Sequence, residues 1–313
     1  MIARRLAVRS PRGAYLALAA LTAIWGTNWI GMKLALASAH PIAFNIDRTL
    51  VAIAVLFAVL LIRRRPLLPE SWAAVAVTGL FQTTINMGST TMALESGGVG
   101  RTAVLVFTMP FWTLLLAWPV LGERVRGSQW IAIALALAGL TLVVEPWHWE
   151  GALAPKLWAV LSGFGWAAGT IAMKFFQRRQ GFDMLNFIAW QMLVGVLPLT
   201  MLPLFIALPG AEWSGTYVFL LLWTGAVSTG AGFLLWIAVL RFLPAGTASL
   251  NMFAIPVIAL LSSMAIFGER LTASEWSGIA LIGAGLAVVY FRAWAGSRRD
   301  EATAVAPPPL EGG

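Results

Sequence analysis

The chain has 313 residues, of which 59% are hydrophobic and 11% are charged, and it contains 16 tryptophans and no cysteine. Soluble globular domains carry about 25% charged residues, so this composition has too little polar surface for a water-soluble protein and predicts an integral membrane protein. The lack of cysteine excludes disulfides, thiolate chemistry and cysteine-bound metals.

Ten apolar segments are long enough to cross a bilayer, because a spanning helix needs about 20 mainly apolar residues. They lie at 14–36, 42–62, 71–93, 99–120, 128–145, 155–176, 185–207, 216–240, 245–267 and 274–294. The breaks between them are short and carry turn and charge signals. A cleaved signal peptide is the alternative for the first segment, but its apolar run is too long and contains Asn28 and Lys33.

Basic residues are distributed unevenly between the two sides of these segments. With the N-terminus inside, fifteen arginines lie on the cytoplasmic side, whereas only Arg101, Lys156 and Arg270 lie outside. The positive-inside rule therefore predicts that both termini are cytoplasmic. The formal net charge of +8 is thus an orientation signal, and no nucleic-acid partner is expected.

The sequence repeats itself at an offset of 146 residues. The stretch that begins at Pro110 aligns without gaps on the stretch that begins at Pro256, with about fifteen identical positions. At a slightly smaller offset, Trp25 matches Trp166. The chain is therefore predicted to be a duplicated five-helix unit, and the odd number of helices inverts the second copy. Inverted repeats are typical of secondary transporters, whose site lies between the repeats.

The predicted fold is an all-α membrane protein of ten transmembrane helices, arranged as two inverted five-helix repeats. The first repeat covers 14–145 and the second covers 155–294, joined by a loop at 146–154. Residues 1–13 form a cytoplasmic N-terminal segment, and residues 295–313, which include a run of three prolines, are expected to be a disordered cytoplasmic tail.

Both repeats carry a proline followed by a Gly-Glu-Arg turn and a glycine-containing helix, at Pro110–Leu140 and Pro256–Leu286. In these residues the chain resembles the drug/metabolite transporter superfamily, specifically its ten-helix EamA-type branch, and it is similar to YddG-type bacterial amino-acid exporters. The resemblance implies a basket-like bundle in the bacterial inner membrane, with a central cavity and alternating access. It also implies a small-molecule substrate, with aromatic or neutral amino acids as the leading candidates, and a monomer is the simplest assembly.

Polar groups in the spans are functional candidates, because they are costly in hydrocarbon. Gln82, Asn86 and Ser89 share one face of the third segment. A buried amide offers a donor and an acceptor to the charged groups of an amino acid. The alternative is that these side chains fasten neighbouring helices through hydrogen bonds. Gln191 in the seventh segment is a further substrate-binding candidate.

Aromatic residues suggest a wall for an apolar substrate. Trp25 and Asn28 share one face of the first segment, and Trp166 holds the repeat-related place in the sixth. Such side chains can line a ligand pocket. Packing within the bundle or a place in the interfacial belt is the alternative for the tryptophans.

Asp47 and Arg48 are the only adjacent acid–base pair inside a predicted span. Arg48 could clamp a substrate carboxylate, and Asp47 could pair with an ammonium group or carry a proton. The alternatives are an internal salt bridge and snorkelling toward the interface. No other acidic residue lies deep in a span, so the sequence does not support coupling to protons or sodium.

Pro110 and Pro256 are predicted to kink their helices, because each removes a hydrogen bond to the carbonyl four residues earlier. The kinks can also serve gating. Phe107 and Asn251 lie near them in the sequence and are predicted to line the cavity, since freed carbonyls at membrane depth are tolerated where they face a cavity or a polar neighbour.

Other functions are less well supported by the sequence. His40 and His148 lie in loops, and the sequence has no histidine cluster, paired carboxylates or Ser-His arrangement, so we expect no enzymatic activity, no cofactor and no metal. Import instead of export, another solute such as a drug cation or a nucleotide-sugar-like anion, and a scaffold without transport remain alternatives.

Overall fold

The computed structural model describes residues 11–125, 127–147, 153–205, 207–239 and 254–305. These residues contain helices and no strand, and they form ten helical segments that we label α1–α10. Their bounds are α1 Pro11–Ala35, α2 Pro41–Ile62, α3 Trp72–Gly79, Leu80–Met87 and Gly88–Ser96, α4 Val99–Val106 and Met109–Leu121, α5 Ser128–Val144, α6 Leu153–Arg179, α7 Met184–Met201, α8 Gly215–Leu222, Trp223–Ala231 and Gly232–Val239, α9 Ala254–Phe267 and α10 Ala273–Val305.

Several helices begin or end at residues suited to that position. Ser71, Asp183 and Ser214 each accept backbone N–H groups at the start of α3, α7 and α8, as N-cap residues do. Gly122 ends α4 with φ of 70°, a left-handed conformation that glycine adopts without steric cost.

Nine of the ten predicted spans lie on one helical segment each, and the described part of the remaining one, residues 254–267, is also helical. In the part of the chain that the structure describes, five helices are long and apolar enough to cross a membrane. These are Pro41–Ile62, Val99–Leu121, Leu153–Arg179, Met184–Leu204 and Gly215–Val239. α5 is a shorter apolar helix of 17 residues, about 25 Å at 1.5 Å per residue. α10 continues through 295–305, beyond the predicted end of the tenth segment.

The bundle exposes large apolar side chains on its surface and buries polar side chains within its apolar interior. Large apolar side chains are exposed on its surface, among them Leu16, Leu204, Phe205, Phe219 and Phe291. Buried polar side chains occupy the interior, among them Asn45, Thr83, Ser162, Gln191 and Ser263. Lipid favours this arrangement, because polar groups in a membrane protein face the bundle interior.

Contacts between the two halves come in exchanged pairs. α1 packs against α8 and α9, and its counterpart α6 packs against α3 and α4. In the same way α2 packs against α8, and α7 packs against α3. The pairs α2–α7, α4–α9 and α5–α10 pack against each other. The five-helix units are therefore related by an approximate two-fold exchange, as the sequence repeat predicts.

Glycines allow the closest helix approaches at equivalent places in the two units. A Cβ at Gly79 of α3 would lie 2.5 Å from the carbonyl oxygen of Gln191 in α7, and a Cβ at Gly225 of α8 would lie 2.6 Å from that of Arg48 in α2. Small residues at such contacts let transmembrane helices pack by van der Waals contact.

The third helix of each unit contains a stretch of wider π-helical turns, at Leu80–Met87 in α3 and at Trp223–Ala231 in α8. Gly79 and Thr83 of the first unit match Gly225 and Thr229 of the second at the 146-residue offset. Because π-helical turns are rare and occur frequently at functional sites, their repetition indicates that the middle of these two helices belongs to such a site.

The turns of the chain gather at two ends of the bundle. At one end, which we call the α3–α4 end, Glu269 of the α9–α10 turn accepts hydrogen bonds from the start of α4. At the opposite end, the α4–α5 end, Glu123 pairs with Lys174 and Arg178 of α6. The α2–α3 and α6–α7 turns also meet each other, through Arg65 and Asp183.

The α3–α7 contact gives a test of this packing. Gly79→Ala should lower the free energy of unfolding by about 1–3 kcal/mol, because the added methyl meets backbone atoms of α7 that cannot move aside. Gly283→Ala is the matched control, since that helical glycine has open space around its Cβ position. Thermal unfolding in detergent measures both, and equal stability of the two variants would contradict the packing.

Candidate functional site

A cavity lies in the middle of the bundle, between the two five-helix units. Its volume is about 140 Å³, below the 300–1,000 Å³ typical of small-molecule sites. It is lined by Trp25, Asn28, Trp29, Met32, Arg48, Asn86, Met87, Thr90, Val106, Phe107, Met109, Trp166, Ser228, Thr229, Phe233 and Ile255. Among the described residues, the walls are mainly apolar, with few polar groups and one charge.

The one charge is the guanidinium of Arg48, whose side chain is only 4% exposed. Its Nε donates to Oδ1 of Asn45 at 3.1 Å, and its Nη1 contacts the sulfur of Met32 at 2.8 Å. The ring of Phe44 lies 6.0 Å from the guanidinium carbon. Among the described residues, no carboxylate pairs with Arg48. Neutral partners do not compensate the charge of a buried guanidinium.

Asp47 does not pair with Arg48, so the internal salt bridge considered from the sequence does not form. The Tyr217 hydroxyl donates to Oδ2 of Asp47 at 3.1 Å. Successive residues of a helix point about 100° apart, which directs Asp47 toward α8 and Arg48 toward the cavity. Asp47 is absent from the cavity lining, and the prediction that it binds substrate has no contact to support it.

Three aromatic rings form one wall of the cavity. The centroid of the Phe233 ring lies 6.2 Å from that of Trp25 and 6.5 Å from that of Trp166, which it faces in a stacked arrangement. The Trp25 indole N–H donates to the carbonyl oxygen of Ser228 at 2.9 Å. The two repeat-related tryptophans thus lie in the bundle centre, on both sides of an α8 phenylalanine.

The predicted polar face of α3 divides between the cavity and helix contacts. Asn86 lines the cavity, but its amide N–H groups are directed at the carbonyl and hydroxyl oxygens of Ser162 in α6. Gln82 donates to Thr170 of α6, and Gln191 accepts from the Thr83 hydroxyl. Gln82 and Gln191 lie outside the cavity lining, and their contacts are those expected of residues that fasten helices.

α4 is interrupted beside the cavity. Its helix stops at Val106, passes through a turn at Phe107 and Thr108 and restarts at Met109. Pro110 lacks the N–H that would bond the Val106 carbonyl, and that carbonyl instead faces Gly163 of α6. Phe107 lines the cavity as predicted.

The corresponding region of α9 is described only in part. Pro256 lies near the start of the described part of α9 and is buried. Asn251 lies outside the described residues, so the structure says nothing of its predicted place at the cavity.

Several lining residues were not predicted as site residues. Met32 shares a face of the first segment with Trp25 and Asn28, but neither Met32 nor Met109 was predicted as a site residue. Ser228, Thr229 and Phe233 lie in α8, for which no site was predicted. The repeat carried a usable signal, because Thr229 matches Thr83 of the polar α3 segment at an offset of 146 residues. No group of three or more metal-ligating side chains occurs within the part of the chain that the structure describes.

Comparison with known proteins assigns the same repeats that the structure displays. The model of the EamA-like transporter family matches residues 12–145 and residues 154–291. The two matches correspond to the two five-helix units.

Curated relatives cover nearly the whole chain. "Uncharacterized transporter YoaV" of Bacillus subtilis is 27% identical over 277 residues, 87% of this chain and 94% of the relative. "Probable amino-acid metabolite efflux pump" of Salmonella typhimurium is 27% identical over 300 residues, 90% of this chain and 96% of the relative. A solved crystal structure matches with a TM-score of 0.62 and 19% identity, over 89% of this chain and 96% of the other, and it shows the fold alone.

The unpaired guanidinium leads to a prediction about stability. Arg48→Met should raise the free energy of unfolding by about 1 kcal/mol or more, because the change removes a buried charge without leaving a counterion behind. Arg101→Met, the control, should lower it, because Arg101 donates to buried Glu275 at 3.0 Å. Thermal unfolding measures both, and a strong loss of stability in Arg48→Met would show that Arg48 has a structural partner.

Proposed function

The chain belongs to the EamA-like transporter family, and from that premise we propose that it is a secondary transporter of the bacterial inner membrane that exports amino acids, chiefly aromatic or neutral ones. The Salmonella relative named as an amino-acid metabolite efflux pump supports this substrate class and this direction. Transport proceeds by alternating access around the cavity between the two units.

Contacts between turns support an inverted relation of the two repeats. The α3–α4 turn meets the α9–α10 turn through Glu269 and Gly100. If the second unit had the same orientation as the first, the α9–α10 turn would lie at the opposite end of the bundle. The α2–α3 and α6–α7 turns meet at the other end through Arg65 and Asp183, which supports the same arrangement.

The charge distribution supports an orientation for this bundle. The α4–α5 end carries the Arg63–Arg65 run, Arg124, Arg178 and Arg179, whereas the α3–α4 end carries Arg101, Lys156 and Arg270. Following the positive-inside rule, the α4–α5 end is cytoplasmic, and both termini are cytoplasmic with it.

The observation that carries the proposal is the guanidinium of Arg48, which has no carboxylate partner among the described residues and lies in a mainly apolar cavity. An arginine in a dry site binds a carboxylate through short, charge-assisted hydrogen bonds. Nε of the guanidinium donates a hydrogen bond to Oδ1 of Asn45 at 3.1 Å, and this bond orients the side chain before a ligand binds. The substrate that completes this site carries a carboxylate.

The aromatic wall selects the rest of the substrate. Trp25, Trp166 and Phe233 offer ring faces and edges at centroid separations of 6.2–6.5 Å, and such surfaces favour apolar and aromatic side chains. A cavity with one cation and one aromatic wall fits a neutral or aromatic amino acid better than a phosphorylated anion, which needs several cations.

Counterflow in proteoliposomes tests the function. Liposomes that contain the purified protein and an excess of unlabelled amino acids should transiently accumulate external labelled phenylalanine, leucine or methionine. Liposomes without protein control for leakage. Failure to accumulate any labelled amino acid, with folded protein in the membrane, would overturn the proposal.

The aromatic wall can be tested on a single helix. Trp166→Ala should reduce the apparent affinity for phenylalanine by about tenfold or more, because a large apolar contact with the substrate is lost. Trp158→Ala is the control, since Trp158 lies on the same helix and is exposed on the bundle surface. Competition curves in the counterflow assay measure both, and equal effects would place Trp166 outside the binding site.

A further inference from the structure

Asn28 carries an unsatisfied hydrogen-bond acceptor at the cavity. Its Oδ1 atom is buried and accepts no hydrogen bond from any residue that the structure describes, although Asn28 is part of the cavity lining. Buried polar atoms are almost always hydrogen-bonded in native proteins, so an exception needs an explanation. A ligand donor in the cavity would provide one.

Several other polar groups of the lining have partners already, and Asn28 alone among the described lining residues has a buried side-chain atom without one. The amide of Asn86 and the hydroxyl of Thr90 both bond to Ser162. The Thr229 hydroxyl donates to the Thr224 carbonyl at 2.7 Å. Asp47, the acid that could have bound a cation, is held by Tyr217 outside the lining. Asn28 is therefore the polar side chain of the lining with a buried free acceptor.

We propose that Asn28 accepts a hydrogen bond from the ammonium group of the substrate, so that the cavity recognises a zwitterion with Arg48 at its carboxylate. This inference rests on the proposed function and adds to it the residue that distinguishes an amino acid from a simple carboxylic acid. The neighbouring Trp25 and Trp29 offer ring faces that also attract cations. A neutral acceptor suits the ammonium end, because a carboxylate there would also bind simple amines that lack a carboxylate.

Three related competitors test the assignment: phenylalanine, 3-phenylpropionate, which lacks the amino group, and phenethylamine, which lacks the carboxylate. Their binding to purified protein is measured by the shift in melting temperature and by competition in counterflow. Asn28→Leu should weaken the binding of phenylalanine by about tenfold, because a hydrogen bond to a charged group is lost. The binding of 3-phenylpropionate should not change. Thr27→Val is the matched control, since that exposed hydroxyl bonds only within its own helix.

The outcomes separate the two proposals. If wild-type protein binds phenylalanine and Asn28→Leu loses it selectively, the assignment holds. If Asn28→Leu weakens all three compounds equally, or if wild-type protein binds 3-phenylpropionate as well as phenylalanine, the assignment of Asn28 is wrong while the transport proposal stands. If none of the three compounds binds and no amino acid accumulates, the transport proposal itself fails.

A second inference comes from the two ends of the bundle. Each end carries a lysine–glutamate couple with one residue from each repeat: Lys33 with Glu269 at the α3–α4 end, and Lys174 with Glu123 at the α4–α5 end. In the sequence repeat, Lys33 matches Lys174 at an offset of 141 residues, and Glu123 matches Glu269 at an offset of 146 residues. The couples are therefore equivalent under the two-fold exchange of the units, but their contacts differ.

At the α3–α4 end, Lys33 and Glu269 hold opposite sides of one turn. The Lys33 ammonium donates to the last carbonyl groups of α3, at Leu94 and Glu95, over 2.6 and 3.0 Å. Glu269 accepts from the Gly100 N–H at the start of α4 at 2.8 Å. Each group complements a helix end, a cation at the C-terminus and an anion at the N-terminus.

At the α4–α5 end the equivalent couple is in direct contact. The Lys174 ammonium lies 2.7 Å from Oε1 of Glu123, and Arg178 reaches the same oxygen. The hydrogen bond from Lys174 lowers the pKa of Glu123 below its ordinary value, so the carboxylate is charged at neutral pH. The contact joins the α4–α5 turn of one unit to α6 of the other.

We infer that these two arrangements exchange during transport: when Glu123 and Lys174 separate, Lys33 and Glu269 come into direct contact. One structure of a two-fold-related protein then displays both arrangements, one at each end. Alternating access requires the two ends to differ in this way. The exchange links the opening of one end to the closing of the other, because the two couples form their direct contacts alternately in each transport cycle.

Distance measurements by double electron–electron resonance test the exchange in liposomes. The chain has no cysteine, so cysteine pairs can be labelled without background. One pair, at Arg124 and Gln177, reports on the α4–α5 end, and the other, at Leu34 and Arg270, reports on the α3–α4 end. All four side chains are exposed, and neither pair removes a member of a couple.

Glu123→Gln should lengthen the distance at the α4–α5 end and shorten it at the α3–α4 end. Glu70→Gln is the control, because Glu70 accepts an N–H from Asp183 at the same end without belonging to a couple, and it should change neither distance. A Glu123→Gln shift confined to one end, shifts of the same sign at both ends, or no shift would overturn the exchange. The result does not depend on which substrate the protein carries.

Discussion

The site depends on a guanidinium that is buried in the centre of a membrane bundle and has no carboxylate partner among the residues that the structure describes. The Asn45 oxygen and the Met32 sulfur orient Arg48, but neutral groups do not compensate a charge in a low-dielectric medium. The adjacent Asp47 cannot help, because the helix directs it to Tyr217. A buried charge that lowers stability is best explained by a ligand that compensates it. For this reason we propose a substrate that carries a carboxylate.

The repeat supplies the frame that holds this charge at the boundary of two units. Gly79 and Gly225 permit equivalent close contacts of α3 with α7 and of α8 with α2, and the latter contact places the backbone of Arg48 against α8. The π-helical stretches of α3 and α8 bring Asn86 and Ser228 to the cavity from both sides. Sequence duplication, small residues and irregular helix turns thus converge on one location.

The helices and the repeat could be predicted from the sequence, because hydrophobic length and the Gly-Glu-Arg pattern determine them locally. Of the candidate site residues, Trp25, Asn28, Arg48, Asn86, Phe107 and Trp166 line the cavity. Gln82 and Gln191 do not, because polarity alone cannot distinguish a side chain that bonds a neighbouring helix from one that faces a cavity. Phe233 was missed for the converse reason: an apolar residue in an apolar helix carries no sign of which neighbour it meets.

In the proposed site, the carboxylate of the substrate pairs with Arg48. An experimental structure of the protein in a lipid environment with bound phenylalanine would test this pairing. We expect the carboxylate to lie within hydrogen-bond distance of the Arg48 guanidinium and the ring to pack against Trp25, Trp166 or Phe233. A ligand bound elsewhere, or Arg48 paired with Asp47 while the ligand carboxylate contacts another residue, would contradict it.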